Sequence, residues 1–532
     1  MLTSDISVQI NYAPYDDSLY VTRAYHLLRG EAFGPYDPRI LIKYPGLSLW
    51  LAATRTLGIP FLLSVNALYI GAGLYLLQAL LRGGVNFWLA LAAFTLFLFN
   101  PVTFGYEWIR VIREPLGTGL LVLIAGAIAH IFVGAARGRP PWLHLAVLAP
   151  AFAFSLFLRE DDQLLYGFLA IFAAALAWQT TRRRPVSGAM MMFVAAVLLA
   201  PLALGKIHEY GWRAFAERHY GLPVFHEFSD GEFPRLLAVI RSIQSVKDNR
   251  MVMVTQEALA KLRDEVPSFR RVIDRLPKPN AGTLSCQLHG VCTEWSNGWM
   301  PFLIKDESFR AGLTPTLPAA QEYFGRVRAE IERACTQRRL ACSDKGEGLL
   351  PPMELRWTRA FVVEGLRLVR MALAPDNNRI GAVPVVYDVP IDLGRIYQVM
   401  TMADYYDTQL QANFGELPKA RLYENPIAAL RGMLIAPYQA LGAVLIVAAF
   451  GALIARLCMA HRMPLGPLGL ACSVFALYLL FRLAALTYVA VFMGAFSGRM
   501  MFATYAVCMV FSLPVFADAI AAFRPTLRSK GI

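Results

Sequence analysis

Long apolar stretches alternate with short polar connections over the first two hundred residues and again over the last hundred. We predict nine membrane-spanning helices from these stretches, because about 20 apolar residues cross a bilayer core of about 30 Å. They lie near residues 60–81, 86–101, 114–136, 142–158, 163–180, 187–206, 429–455, 466–494 and 500–522. Two of them, 86–101 and 142–158, are short for a span. The pattern predicts a mainly α, polytopic helical membrane protein.

A long segment between the sixth and seventh predicted spans has the residue usage of a soluble protein. Stretches such as EFPRLLAVIRSIQSV and AAQEYFGRVRAEIERAC have the apolar spacing of helices, and Pro and Gly often interrupt it. We expect a mostly helical domain inserted before the last three spans. The sequence also allows a β-rich part in this domain. The expected organisation is an external first loop at 1–59, a bundle of six spans at 60–206, an external domain at 207–428, and three spans with a basic tail at 429–532.

The first loop itself carries two shorter helical patterns. The run from Ser18 to Arg29 is helical in pattern, and Gly30 suits its C-terminal stop. The apolar segment Gly46–Leu57 contains Arg55 and is too short to cross a membrane. We predict that this second segment is a helix lying at the membrane interface.

Composition and charge fit this picture and indicate an orientation. The chain has 532 residues, of which 56% are hydrophobic and 17% charged, whereas soluble proteins have about 25% charged residues. The net charge of +13 reflects basic residues at membrane edges and does not indicate nucleic acid binding. One set of connections holds most of the basic residues, namely Arg82, Arg137, Arg139, Arg182, Arg183, Arg184, Arg456, Arg462, Arg524, Arg528 and Lys530.

The positive-inside rule places that basic set in the cytoplasm, and therefore the first loop and the segment 207–428 outside. The chain then opens outside with no span ahead of Asp16 and no signal-peptide pattern. Either the N-terminus is translocated with the first span, or a span that would precede it is missing.

Four of the seven cysteines lie in the long segment, as CQLHGVC and CTQRRLAC. An even number confined to an external segment suits an oxidising compartment and two disulfides. Four cysteines allow three connectivities. We favour local pairing, and the spacings are wider than those of CxxC zinc sites. The two predicted disulfides join Cys286 to Cys292 and Cys335 to Cys342.

The predicted external loops carry an unusual set of acids and bases, which face the same side of the membrane. Each has an ordinary explanation: Asp16 or Asp17 as a helix N-cap, Glu114 as a carboxylate at a helix N-terminus, and Arg499 as a snorkelling side chain. Together they suit a lipid-facing site for an anionic substrate, with carboxylates as general bases and cations for a phosphate. The candidates in this set are Asp16, Asp17, Asp37, Lys43, Glu107, Arg110, Arg113, Glu114, Arg159, Glu160, Asp161, Asp162 and Arg499.

Three motifs occur in the order found in one family. They are YDDSLYVTRAYHLLRGE in the first loop, KYPGLSLWLAATRTLGIP before the first span, and REPLGTGLL at the outer end of a later span. The late stretch SGRMMFATYAV adds a weaker match, with Met500 where tyrosine is common. The chain resembles the polytopic GT-C glycosyltransferases, which include protein mannosyltransferases and bacterial aminoarabinose transferases. The resemblance covers about residues 12–206, lacks the family's first span, and has Gly46 in place of a proline.

The resemblance implies an inverting transfer of sugar from a polyprenyl-phosphate donor to a glycan, lipid or protein acceptor. Asp16 corresponds to the catalytic base, Asp17 is the fallback or the helix cap, and Glu114 is the second acid. The candidates for binding the phosphate are Lys43, Arg113, Arg159 and Arg499, and the supporting residues are Tyr20, Glu107 and Asp161. The sequence indicates no cofactor, although some members of the wider class use a divalent metal. The implied location is a bacterial inner membrane, with membrane lipid as a partner and the site on the periplasmic side.

Two other functions stay open. A transporter or flippase for a lipid-linked or anionic solute would place charges at the membrane midplane, and only Arg482 lies inside a predicted span. A non-catalytic envelope assembly protein would use the external domain as its binding module.

Overall fold

The protein is built almost entirely from α-helices. The computed structural model describes residues 8, 10, 15–104, 106–182, 187–244, 250–343, 353–374, 391–403, 426–458, 465–494, 501–509, 511–512 and 515. Across these ranges there is no strand, and the β-structure is limited to two isolated bridges, Ile243 with Cys342 and Val252 with Ser296. The prediction of a mainly α protein is confirmed. The sequence also allowed a β-rich part in the segment 207–428, and the described ranges of that segment contain none.

The helices follow one another in chain order with short connections. The first loop forms α1 (Asp17–Leu28) and α2 (Gly46–Thr56). The next helices are α3 (Phe61–Arg82), α4 (Phe87–Leu98), α5 (Arg113–Ala136), α6 (Trp142–Leu158), α7 (Leu164–Thr181) and α8 (Gly188–Tyr220). The middle of the chain forms α9 (Glu232–Ser242), α10 (Gln256–Glu265), α11 (Pro267–Ile273), α12 (Leu284–His289), α13 (Met300–Arg310) and α14 (Leu317–Thr336). The remaining helices are α15 (Thr358–Leu373), α16 (Ile391–Thr401), α17 (Pro426–Cys458) and α18 (Pro467–Met493).

Of the helices described, six are long and apolar enough to cross a membrane, namely α3, α5, α7, α8, the Pro437–Cys458 part of α17, and α18. This indicates an integral membrane protein. The two stretches predicted to be short, 86–101 and 142–158, form the shorter apolar helices α4 and α6. Of the ninth predicted span, 500–522, only residues 501–509, 511–512 and 515 are described, so the total of nine stays a prediction.

Helix α5 is the centre of the N-terminal bundle, since 83% of the residues in its most apolar stretch are buried. Small residues let α3 approach it closely, as is common where membrane helices pack. A Cβ at Gly119 would lie 3.0 Å from the Leu68 side chain, and one at Gly126 would lie 2.9 Å from the ring of Tyr75. The first turn of α5, with Arg113 and Glu114, is therefore held rigidly at one end of a tightly packed helix pair.

Helix α8 continues well past the predicted end of its span at residue 206. It runs without a break to Tyr220 and ends at Gly221, which adopts a left-handed φ of 88°. Glycine is favoured at such a stop because it has no Cβ to clash in this conformation. The C-terminal part of α8 is therefore a polar extension of its apolar part, and it supports the loop after Gly221.

Helices α9, α10, α11, α13 and α14 enclose a second hydrophobic core, separate from that of the bundle. Disulfides join Cys286 to Cys292 and Cys335 to Cys342. The predicted local pairing is therefore confirmed. Each bridge ties the end of a helix, α12 or α14, to the loop after it.

Other parts of the segment 207–428 pack against the bundle instead of this second core. Helix α15 lies on α18, where Leu368 packs with Leu486 and Ala490. Helix α16 contacts α1 and α2. The first loop is consequently enclosed by helices that come from distant parts of the chain.

Candidate functional site

The acidic pair at the start of α1 divides into two different environments. Asp17 is fully buried and accepts hydrogen bonds from Arg110, at 3.0 Å from Nε and 2.7 Å from Nη2. Arg110 also donates to Glu107. The predicted capping role of Asp17 is wrong, because Asp17 is the first residue of α1 and its carboxylate pairs with Arg110. This buried ion pair fixes α1 to the connection before α5.

Asp16 occupies the N-cap position of α1, but its side chain makes no capping hydrogen bond. The ordinary capping explanation therefore fails for Asp16 as well. Its carboxylate lies 3.5 Å from Nζ of Lys43, and the two side chains are 24% and 20% exposed. Solvent or a substrate can therefore reach this pair, unlike the Asp17–Arg110 pair.

A buried charge network lies beside this partly exposed pair, at the N-terminal end of α5 and the C-terminal end of α6. Arg113 is bonded to Glu160, which lies in the 3-10 turn Glu160–Gln163 between α6 and α7. Nη1 of Arg159 lies 3.9 Å from Oε1 of Glu114. Arg113, Glu114 and Arg159 are all buried. Cations and carboxylates therefore alternate along this edge of the bundle.

Glu160 connects the network to the first loop and to the segment after α8. Nε2 of His226 lies 3.8 Å from Oε1 of Glu160. Burial raises the pKa of Glu160, but the positive charges of Arg113 and Lys43 outweigh it and lower this pKa to about 2. Burial lowers the pKa of His226 to about 4. At neutral pH, Glu160 is therefore a carboxylate and His226 an uncharged imidazole.

Tyr20 lies one turn into α1 and faces the network. Its ring is 5.9 Å from the guanidinium carbon of Arg113, and it lies within electrostatic range of Asp16 and Glu160. Burial raises the pKa of Tyr20 well above its usual value. Its buried hydroxyl has no hydrogen-bond partner among the described residues. Because buried polar atoms are nearly always bonded, this hydroxyl is suited to contact a bound molecule.

The backbone that carries Lys43 is held in place by Arg23 of α1. The Arg23 guanidinium donates to the carbonyl oxygens of Lys43 and Arg39, both at 3.1 Å, and to that of Ile40. Burial lowers the pKa of Arg23 to about 10, so the group remains charged at neutral pH. These bonds keep Lys43 beside Asp16.

The KYPG stretch continues from this turn into α2 and touches the end of α6. A Cβ at Gly46 would lie 2.6 Å from the carbonyl oxygen of Phe157 and 2.9 Å from Cα of Leu158. A side chain at this position would collide with the backbone of α6, so the contact requires a glycine. The close contact brings the first loop against the backbone that leads into Arg159.

Helix α13 of the second core contacts the residue just before Asp16. Tyr15 donates a hydrogen bond to Asp306, and Nη2 of Arg39 lies 3.4 Å from the same carboxylate. Nearby, Nζ of Lys305 lies 2.6 Å from Oε1 of Glu227, to which Tyr36 also donates at 3.1 Å. Lys305 and Glu227 are almost fully buried. The position of Asp16 therefore depends on a helix some 290 residues away in sequence.

The structure brings most of the sequence-predicted residues together. Asp16, Tyr20, Lys43, Arg113, Glu114 and Arg159 belong to one side of the bundle end, whereas Glu107 lies with Asp17 on Arg110. Arg499 lies outside the described residues. Only the backbone of Asp161 is described, in the 3-10 turn.

Three features of this arrangement were not predicted from the sequence, namely the partners of Arg110 and Glu160 and the place of His226. Arg110 and Glu160 were recognised as unusual loop charges, but nothing in their spacing showed that they pair with Asp17 and Arg113. His226 lies in a loop with no motif around it. Only the charge inventory of the loops could have drawn attention to the first two.

The described side chains include no group of three or more His, Cys, Asp and Glu residues that could hold a metal ion. The carboxylates Asp16, Glu114 and Glu160 each lie near a cation instead. The arrangement is chemically suited to proton transfer by an accessible carboxylate and to binding of an anion by several cations.

Comparisons with protein-family models, with curated proteins and with solved structures find no match for this chain.

Proposed function

We propose that this protein is an integral-membrane inverting glycosyltransferase. It transfers a sugar from a polyprenyl-phosphate donor to a glycan, lipid or protein acceptor at the external face of the membrane. The observation that carries the proposal is the accessible Asp16–Lys43 pair beside the buried network of Arg113, Glu160, Glu114 and Arg159. It combines a carboxylate that a substrate can reach with cations whose charge suits a lipid phosphate.

In the proposed reaction, the Asp16 carboxylate removes the proton from an acceptor hydroxyl. The hydroxyl oxygen forms a bond to the anomeric carbon of the donor sugar from the face opposite the phosphate. The bond from that carbon to the phosphate oxygen breaks, and its electron pair leaves with the polyprenyl phosphate. The anomeric configuration inverts, and Asp16 later returns its proton to water.

The cations have two roles in this scheme. Lys43 moves from Asp16 toward the phosphate, and Arg113 and Arg159 supply fixed positive charge behind it. Such preorganised charge stabilises a leaving phosphate because no reorganisation is needed during the reaction. Glu114 orients Arg159, and the unpartnered hydroxyl of Tyr20 donates to the substrate.

Two features support an external site. The connections at the opposite ends of the spans carry most of the basic residues, which the positive-inside rule assigns to the cytoplasm. The two disulfides lie at α12 and α14, on either side of the helix α13 that contacts the first loop, and disulfides persist in oxidising compartments. We place the protein in a bacterial inner membrane with the site on the periplasmic side.

The proposal is tested by glycan analysis of cells that carry Asp16→Asn as the sole copy. Glu31→Gln is the matched control, because Glu31 is an exposed carboxylate paired with Arg29 at the other end of the same helix. We expect one class of envelope glycan to disappear with Asp16→Asn and to persist with Glu31→Gln. An unchanged glycan profile with folded Asp16→Asn protein at normal abundance would exclude the enzyme function.

Transport is the second candidate, because Arg482 is buried inside α18. Its Nη1 lies 3.3 Å from the hydroxyl of Tyr478 on the same helix. Buried charges within membrane helices often mark a transport path. Vesicle uptake of a radiolabelled polyprenyl-phosphate sugar that is abolished by Arg482→Gln but not by Asp16→Asn would favour transport.

A further inference from the structure

A polar cavity of about 280 Å³ lies next to the candidate site. It is enclosed by α6, α7, the upper part of α8, Tyr44 of the first loop and the loop after α8. Tyr44 and His226 separate it from Glu160, with the two rings 5.1 Å apart. Nothing in the proposed reaction so far uses this cavity.

The charged groups that line the cavity neutralise one another. Nζ of Lys206 lies 2.6 Å from Glu209, and Nε of Arg213 lies 3.2 Å from the same carboxylate. Arg213 is also bonded to Asp230. The lining therefore contains two cations and two carboxylates, with no net charge. An anion such as phosphate would gain little here, because each cation is already bonded to a carboxylate.

The lining also contains aromatic rings and neutral polar groups. Tyr44, Phe157, Tyr166 and Phe225 contribute rings, and Nε2 of Gln163 donates to the Tyr44 hydroxyl at 2.8 Å. Rings suit the C–H faces of a sugar, and hydroxyl, amide and carboxylate groups suit its hydroxyls. Ligand pockets typically combine such apolar walls with a few placed polar groups.

The cavity is held open by bonds that do not depend on a ligand. Arg213 donates to the carbonyl oxygen of Pro223 at 2.8 Å, and the backbone N–H of Phe225 donates to Asp230 at 3.1 Å. These contacts fold the loop after α8 onto the helix. The space is thus part of the resting structure.

We propose that this cavity binds one uncharged sugar ring of a substrate. This rests on the proposed glycosyltransferase function and assigns its substrate class, a neutral pyranose. The phosphate binds on the other side of Tyr44, where Lys43 and Arg113 carry the positive charge. The sugar ring belongs either to the donor or to the acceptor.

Direct binding tests the proposal without any catalysis. Saturation-transfer NMR on the purified full-length protein in nanodiscs would use methyl glycosides of glucose, galactose, mannose and N-acetylglucosamine, together with glucose 6-phosphate. We expect at least one neutral glycoside to bind saturably and more tightly than glucose 6-phosphate. No saturable binding by any of the four glycosides, or tighter binding of the phosphate, would overturn the proposal.

Two variants locate the binding. Gly205→Phe fills the cavity, because a Cβ at position 205 would lie 3.6 Å from the Tyr166 hydroxyl and 3.2 Å from the tip of Leu156. We expect it to abolish glycoside binding in protein that still folds, with some loss of melting temperature from overpacking. Glu209→Gln leaves Lys206 and Arg213 in excess and should weaken glycoside binding about tenfold while admitting glucose 6-phosphate. If folded Gly205→Phe protein still binds the glycoside, the binding site is not this cavity.

The matched control is Glu257→Gln, which removes the acid of an exposed pair with Lys261 on α10. It should leave binding unchanged. Competition distinguishes the two sources of the sugar: a bound glycoside that raises the KM of the polyprenyl-phosphate donor occupies a donor site, and one that raises the KM of the acceptor occupies an acceptor site. If the protein binds a glycoside and Asp16→Asn keeps full activity, the cavity is still a sugar-binding site, but the proposed catalysis by Asp16 is excluded.

Discussion

Arg110 bonds through two nitrogens to both carboxylate oxygens of Asp17, at distances of 3.0 and 2.7 Å, and both residues are buried. The neighbouring Asp16 is accessible and lies near Lys43. Two adjacent carboxylates thus have different tasks. Asp16 faces the proposed reaction, and Asp17 holds the helix that positions Asp16.

Asp17→Asn should destabilise the protein more than any change at Asp16. Removing one partner of a buried ion pair leaves the other charge uncompensated, which typically costs about 3–5 kcal/mol. We expect a marked fall in the thermal midpoint of purified Asp17→Asn protein, whereas Asp16→Asn keeps a midpoint near that of the wild type. Equal midpoints for Asp17→Asn and Asp16→Asn would show that the Arg110 pair has no structural role.

Gly46→Ala should weaken the contact between the first loop and α6. The added methyl group would lie 2.6 Å from the carbonyl oxygen of Phe157, which is backbone and cannot rotate away. Overpacking of this kind costs about 1–3 kcal/mol. Gly71→Ala is the control, because a Cβ there has nothing within 4 Å. A thermal midpoint that falls equally in both variants, or in neither, would contradict the close contact.

Tyr15 and Asp306 should be energetically coupled, although they belong to the first loop and to α13. We expect a double-mutant cycle of Tyr15→Phe and Asp306→Asn to give a coupling energy of about 0.5–3 kcal/mol, as for residues in contact. The readout is thermal unfolding of the four proteins. Hydrogen exchange of the amides in the first turn of α1 should also rise in both single variants. If the stability losses of the two single variants simply add, and amide exchange in the first turn of α1 is unchanged, then α13 does not help to position Asp16.

Stability should fall as the pH drops below neutrality. The folded pKa of His226 is lowered from 6.5 to about 4, so between these values the unfolded chain binds a proton that the folded chain does not. The folded pKa of Glu160 is likewise lowered from 4.5 to about 2, which extends the loss to more acidic pH. Both groups therefore favour the folded state near neutral pH and lose that contribution on acidification.

His226→Asn removes one of these two contributions. Its melting temperature should depend less on pH between 6.5 and 4 than that of the wild type. The control is His219→Asn, since His219 is an exposed histidine near the end of α8. A pH dependence unchanged by His226→Asn would mean that His226 is not buried in its neutral form.

The sequence predicts the helices of this protein better than the contacts between them. Long apolar runs mark α3, α5 and α18, and the spacing of the cysteines suggested both disulfides. The pairing of Asp17 with Arg110 joins residues 93 positions apart, and that of Tyr15 with Asp306 joins residues 291 positions apart. Such contacts leave no periodic signal, because they depend on how whole helices pack.

Gly46 illustrates the same limit at a single position. The glycine at the first position of α2 gives no signal in the sequence, yet it permits backbone contact with α6. The charged residues were recognisable as an unusual set on one side of the membrane. Their division into an accessible pair and a buried network follows from burial, which the sequence does not contain.

The proposed catalysis depends most directly on Asp16. A single-turnover reaction would use purified protein in nanodiscs, radiolabelled polyprenyl-phosphate sugars and a membrane glycan extract as acceptor. The measured quantity is the rate of polyprenyl phosphate release. We expect folded Asp16→Asn to lower this rate by about 100-fold or more, as for loss of a general base, while Glu31→Gln keeps the wild-type rate. An Asp16→Asn rate equal to that of the wild type would contradict the role of Asp16 as the base.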